Sequence, residues 1–79
     1  MARAATWDPA LEERVGAAIG AETRARGANY SASVCVNLLR HPAWGRAQEC
    51  YGEDPVLVGQ MGSALTRGVR VHTMACVKH

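Results

Sequence analysis

Two stretches of the chain repeat apolar residues at helical spacing, and two others run apolar without that period. In the first stretch Leu11, Val15, Ala18 and Ile19 form a stripe, with Glu22 in phase at its end. Asp8-Pro9 stands just before it: Asp offers an acceptor to the free N–H groups of a first turn, and Pro has no N–H to leave unpaired. Glu12 and Glu13 near the start and Arg24 and Arg26 near the end suit a helix dipole, and Gly27 stops the element. Gly16 and Gly20 each cost up to ~1 kcal/mol relative to Ala, so they predict a neighbour packed closely on that face. Asp54-Pro55 repeats the capping device, and Leu57, Met61, Ala64 and Leu65 predict a second helix ended by Gly68.

The runs Asn29–Val36 (NYSASVCV) and Val71–Val77 (VHTMACV) read as strands, the first covered on both faces. Helix, strand, long loop, helix, strand is the order of parallel βαβ units, so the class is α/β. Asn37 and the loop leave the carboxyl end of the first strand, and Lys78 and His79 leave that of the second. Both sets therefore open on one face, the face on which barrels and open α/β sheets bind ligands. The connection from Asn37 to Pro55 far exceeds the ~2–6 residues usual between strand and helix, and long ordered loops of this kind carry function. Two strands and two helices leave apolar stripes and strand edges bare, so residues 1–79 read as part of a larger domain.

Composition narrows the partners. A chain of 79 residues buries only about 60% of its unfolded surface. Its net charge is +2 and its cations are scattered singly, which calls for neither nucleic acid nor an anionic membrane. No window approaches the ~18 apolar residues of a membrane span, and MARAATWDP has no apolar signal core. Cys35, Cys50 and Cys76 are odd in number and form no CxxC pair, so a reducing, cytoplasmic compartment is expected. No two candidate ligands among these cysteines and His41, His72 and His79 stand at metal-motif spacing; no metal and no cofactor are expected.

The chemistry-bearing residues concentrate in the loop. Arg40, His41, Trp44 and Arg46 share it, and Lys78-His79 meet it from the next strand. Donor-only cations beside a flat aromatic suit a sugar, whose hydroxyls accept hydrogen bonds and whose carbons stack; a carboxylate or phosphate would fit as well. Arg46 could equally pair with Glu49 or Glu53 and pin the loop, and Lys78-His79 at a chain end read as a solvated tail. Among the carboxylates Asp54 is the helix cap, Glu53 favours the same helix terminus, and Glu49 is expected to hold Arg40 or Arg46. His72 is expected to pack within its strand. No GxSxG, P-loop, HExxH or GxGxxG occurs, which removes triad-hydrolase, nucleotide and metalloprotease readings.

The run from ATWDP through N-x-x-R-x-P-x-W-G-R (Asn37–Arg46) and E-x-x-G-E-D-P (Glu49–Pro55) to Lys78-His79 resembles the N-terminal barrel of glycoside hydrolase family 3, the β-glucosidases and related exo-acting enzymes. The likeness covers essentially the whole chain. It implies a segment of a (β/α)8 TIM-type barrel, incomplete alone and needing the rest of the barrel to fold. It also implies a carbohydrate substrate and a retaining, two-step hydrolysis that uses one carboxylate as nucleophile and another as acid/base. In the family the Arg of WGR and the Lys-His pair bind hydroxyls of the terminal sugar. Carried over, Arg46, Lys78 and His79 bind substrate, with Arg40, Trp44, Glu49 and Asp54 supporting the loop. The resemblance thereby displaces the solvated-tail reading of Lys78-His79.

The family nucleophile lies on a later strand and the acid/base on a distant loop or following domain, so no catalytic residue is expected here. The Pro-x-Trp-Gly-Arg form favours the glucosidase-type branch over the N-acetylhexosaminidases. The alternative is a non-catalytic product, either a remnant that folds only by complementing a barrel or a small interaction module.

Overall fold

The computed structural model describes residues 2–79. After a short 3-10 turn at Ala4–Thr6 come α1 (Pro9–Ala25), β1 (Tyr30–Cys35), the long loop with a 3-10 turn at Ala47–Glu49, α2 (Pro55–Val69) and β2 (Met74–Lys78). β1 and β2 pair in parallel, Tyr30 opposite Met74 and Cys35 opposite Lys78, with a register shift between Ser31 and Val34. The chain is thus a small α/β piece with two helices and two parallel strands.

The expected caps form. The Asp8 carboxylate accepts the Leu11 N–H at 2.9 Å, and that of Asp54 accepts from Val56 and Leu57 at 3.1 and 3.2 Å. Each fixes a helix start through residues within one turn. Gly27 ends α1 with φ at 85°, a conformation glycine enters without steric cost.

α2 is the central element. It packs on both strands and on α1, and its Val58, Met61, Leu65 and Val69 join Val34 of β1 and Tyr51 of the loop in the core. The helix–helix seam is made of glycine. A methyl group on Gly16 would stand 2.6 Å from the Leu65 carbonyl oxygen, and one on Gly20 would stand 2.8 Å from that of Val69. One on Gly68 would run into the Glu13 carbonyl oxygen. The neighbour predicted from Gly16 and Gly20 is therefore α2, in backbone-to-backbone contact.

Five expectations are corrected in whole or in part. Gly68 does not end α2, which continues to Val69; it sits at the crossing, where only a hydrogen fits. The fully buried line of α1 is Glu12, Gly16 and Gly20; of the apolar stripe only Val15 and Ile19 are half-buried, Ile19 against the core, while Leu11 and Ala18 are exposed. The strand read from Val71 begins at Met74, because Val71 and His72 close a turn onto the carbonyls of Gly68 and Val69; His72 is accordingly exposed. β1 is not covered on both faces within the described residues, since Tyr30 and Ala32 are exposed. Trp7, Val56, Val71, Met74 and Val77 are also more than half exposed. That much apolar surface on so small a chain marks faces without a partner.

Glu12 holds the loop to α1. Its carboxylate is 1% exposed, accepts a short hydrogen bond from the Tyr51 hydroxyl, and lies 3.5 Å from Arg3 Nε. A buried carboxylate must be paired to be tolerated, and these partners pair it. Burial, followed by the hydrogen bond to Glu12, pushes the Tyr51 phenol far above its ordinary value. No helix of the described residues is long and apolar enough to cross a membrane.

Candidate functional site at the carboxyl ends of the strands

Parallel pairing brings the ends of β1 and β2 side by side. The Val36 N–H donates to the Lys78 carbonyl at 2.8 Å, extending the ladder to the point where both chains leave the sheet. There Asn37 joins them: its Oδ1 accepts the His79 backbone N–H at 2.9 Å and lies 2.7 Å from His79 Nδ1. The shared face expected from topology is therefore a direct contact between residues 42 apart. Cys35, the last residue of β1, places its buried sulfur 3.6 Å from the same Nδ1.

The long loop closes on itself above these ends. The Leu39 N–H donates to the Gly52 carbonyl at 2.9 Å, which ties its two arms together. Between them, bonds from Trp44 to His41, Ala47 to Trp44 and Glu49 to Arg46 wind the backbone into successive turns. His41 contributes a side-chain acceptor for the Ala43 N–H at 3.2 Å. Trp44 is brought over the sheet end, its ring edge-on to His79 with centroids 6.4 Å apart. Asn37, Leu38, Arg40, His41 and Trp44 line a concavity of about 310 Å³.

Arg46 and Glu49 form a forked pair, Nε to Oε1 at 2.7 Å and Nη2 to Oε2 at 2.9 Å. Of the partners weighed from sequence, Glu49 is the one that pairs. Both side chains remain partly open to solvent, at 46% and 34%, so the pair orients the guanidinium more than it stabilises the fold. The hydrogen bonds from Arg46 hold the Glu49 carboxyl below its ordinary value, and the nearby charges of Lys78 and His79 act in the same direction. Burial, with Cys35 alongside, raises the Cys50 thiol.

Arg46, Trp44, Glu49, Lys78 and His79 thus converge on one end of the sheet. Arg40 lies exposed on the rim of the concavity, and Asp54 is occupied as the α2 cap. Sequence reasoning missed Asn37 and Cys35 as parts of the site and Glu12 as the anchor of the loop. Asn37 carried one legible sign, a polar residue directly after a strand on the ligand-binding face. Glu12 carried none, because its role depends on Tyr51, 39 residues away.

Comparisons with known proteins identify the family. No solved structure matches the chain significantly. A β-glucosidase of Rhizobium radiobacter is 40% identical over 100% of this chain, which covers 10% of that protein. The thermostable β-glucosidase B of Acetivibrio thermocellus is 38% identical over 96% of the chain and 10% of its own length. Beta-D-xylosidase 1 of Arabidopsis thaliana is 34% identical over 96% of the chain and 11% of its own length. The chain therefore spans only about a tenth of the length of these relatives. The sequence profile described as the glycosyl hydrolase family 3 N terminal domain matches residues 1–79. With its WGR loop, its GEDP helix start and its Lys-His strand end meeting at one face of a parallel sheet, the chain belongs to glycosyl hydrolase family 3.

Proposed function

We propose that the chain is a segment of a (β/α)8 barrel and forms part of the glycone subsite of a retaining, exo-acting β-glucosidase-type hydrolase. The observation that carries this reading is the convergence of Arg46, Lys78 and His79, with Trp44, at the carboxyl end of the parallel strands. Arg46 has five N–H donors, and Glu49 takes two of them. The other three are free for ligand hydroxyls, from a guanidinium whose plane Glu49 has already set. Lys78 adds a point charge with rotatable donors, and His79 adds a ring oriented by Asn37.

Contacts to hydroxyls remote from the scissile bond speed reaction if they tighten as the ring flattens toward an oxocarbenium-like transition state. The nucleophile and the acid/base are placed in parts of a longer protein outside these residues. Within the chain, Glu49 is committed to Arg46 and Asp54 to its helix cap. The substrate class follows as a β-glucoside or related glycoside.

The test is a transplant of residues 1–79 into the matching segment of an active family 3 β-glucosidase. The chimaera is expected to hydrolyse an aryl β-glucoside, and Arg46→Ala to lower kcat more than it raises KM. A charged hydrogen bond is worth about 1.5–3 kcal/mol, so kcat/KM should fall roughly 10- to 100-fold. An effect confined to KM would mean that Arg46 binds ground state and transition state alike and would refute the role assigned to it.

A further inference from the structure

The same strand ends carry a second set of donors that the sugar reading does not use together. Cys35 Sγ, a Glu49 carboxylate oxygen and a His79 ring nitrogen all lie within 4.8 Å of one another, and Cys35 is buried. In a tetrahedral zinc site, with Zn–S near 2.3 Å and Zn–N near 2.05 Å, sulfur and nitrogen stand about 3.5 Å apart. Cys35 Sγ and His79 Nδ1 stand 3.6 Å apart. Asn37 Oδ1 is 3.7 Å from the same sulfur, close to the roughly 3.6 Å of an S–Zn–O edge. It is 2.7 Å from Nδ1, the length of a hydrogen bond. An ion that replaced the Nδ1 proton would need these two atoms to separate by several tenths of an ångström.

We propose that Cys35, His79 and Glu49 bind one thiophilic divalent cation of the zinc class, with Asn37 Oδ1 in the fourth position. Thiolate, imidazole and carboxylate are the ligand types zinc takes, and the thiolate disfavours hard ions such as magnesium and calcium. Binding releases the thiol proton to solvent, and the neutral His79 ring ligates through Nδ1 with its one proton carried on Nε2. Glu49 must turn from Arg46 toward the ion. That exchange is cheap, because the pair it breaks is part-exposed and screened by solvent. The ligands are far apart in sequence and come from a strand, a loop and the next strand, which is why no motif spacing announces them. His79 and Glu49 also belong to the proposed glycone subsite, so ion and sugar would exclude each other.

The test is a titration of the reduced 79-residue chain with Co²⁺, followed by back-titration with Zn²⁺, in the absence of any sugar. Its result is therefore independent of the sugar reading. Saturation at one Co²⁺ per chain with a thiolate-to-cobalt charge-transfer band, bleached by Zn²⁺, is expected. Cys35→Ser should abolish the band and Cys76→Ser should leave it. His79→Gln and Glu49→Gln, both at exposed positions where the fold is not at stake, should each weaken binding at least about tenfold, since losing even an outer partner of a metal ligand costs ~10–100-fold. If the apo chain is poorly ordered, the far-ultraviolet circular dichroism should rise with the ion in the unsubstituted chain and not in His79→Gln. Absence of a thiolate band, its survival in Cys35→Ser, or unchanged affinity in His79→Gln overturns the proposal.

Discussion

Replacing Gly68 by alanine sets two physical effects against each other. Helix propensity alone favours the change, because alanine in a helix interior is worth up to ~1 kcal/mol over glycine. The tertiary contact opposes it. The new methyl would run into the Glu13 carbonyl oxygen, 2.7 Å from the Ala17 nitrogen and 2.9 Å from the Gly16 carbonyl carbon. All three are backbone atoms of α1, so no side chain can rotate to make room. The helices must separate along the seam that Gly16 and Gly20 also line, and overpacking of that kind costs ~1–3 kcal/mol or more. Subtracting the propensity gain leaves a net loss of up to about 2 kcal/mol, and at about 4–8 °C per kcal/mol a domain of this size would lose up to roughly 15 °C in Tm. Gly59 is the control on the same helix: a methyl there meets nothing within 4 Å, so Gly59→Ala should raise stability by up to ~1 kcal/mol. Urea titration of each variant, read by helical circular dichroism, decides the matter. If Gly68→Ala stabilises as much as Gly59→Ala, the close crossing of α1 and α2 is wrong.

Tyr51→Phe removes the hydroxyl partner of buried Glu12 and should cost about 1–3 kcal/mol of stability near neutral pH, measured by denaturant titration. Burial and the hydrogen bond to Glu12 raise the Tyr51 phenol above the ~10 of an ordinary tyrosine, so its contribution is complete below about pH 10 and is lost as pH climbs beyond that. The alkaline limb of a stability–pH curve should accordingly be steeper for the unsubstituted chain than for Tyr51→Phe; parallel limbs would contradict this. Asp54→Ala strips both cap bonds from α2 and should cost ~0.5–2 kcal/mol, read as a lower denaturant midpoint at an unchanged slope. The isolated 79-residue chain is expected to hydrolyse no aryl β-glucoside above a buffer blank, and turnover abolished by Arg46→Ala would refute the placement of the catalytic carboxylates elsewhere.

The starts of both helices were readable in the sequence, as were the α/β alternation, the parallel pairing and the face on which the loop and Lys78-His79 meet. Caps and helical periods are set by residues within one turn of each other, so Asp8-Pro9 and Asp54-Pro55 act as written wherever the chain is placed. Parallel order follows from connectivity, which is also a property of the chain alone.

What tertiary structure decided was every feature that depends on a partner distant in sequence. α1 turns Glu12, Gly16 and Gly20 fully inward and leaves Leu11 and Ala18 of its apolar stripe exposed, because α2 presents backbone at Gly68 and the loop before it presents a hydroxyl at Tyr51. Gly68 looked like a helix stop because a glycine that ends a helix and one that admits a neighbour look the same in one dimension. Asn37 and Cys35 entered the site only when β2 paired with β1 and delivered His79 to them. Local chemistry set where the elements begin, and through-space contact set which of their atoms meet, since a hydrogen bond or a clash is felt over a few ångströms whatever the length of chain between the atoms.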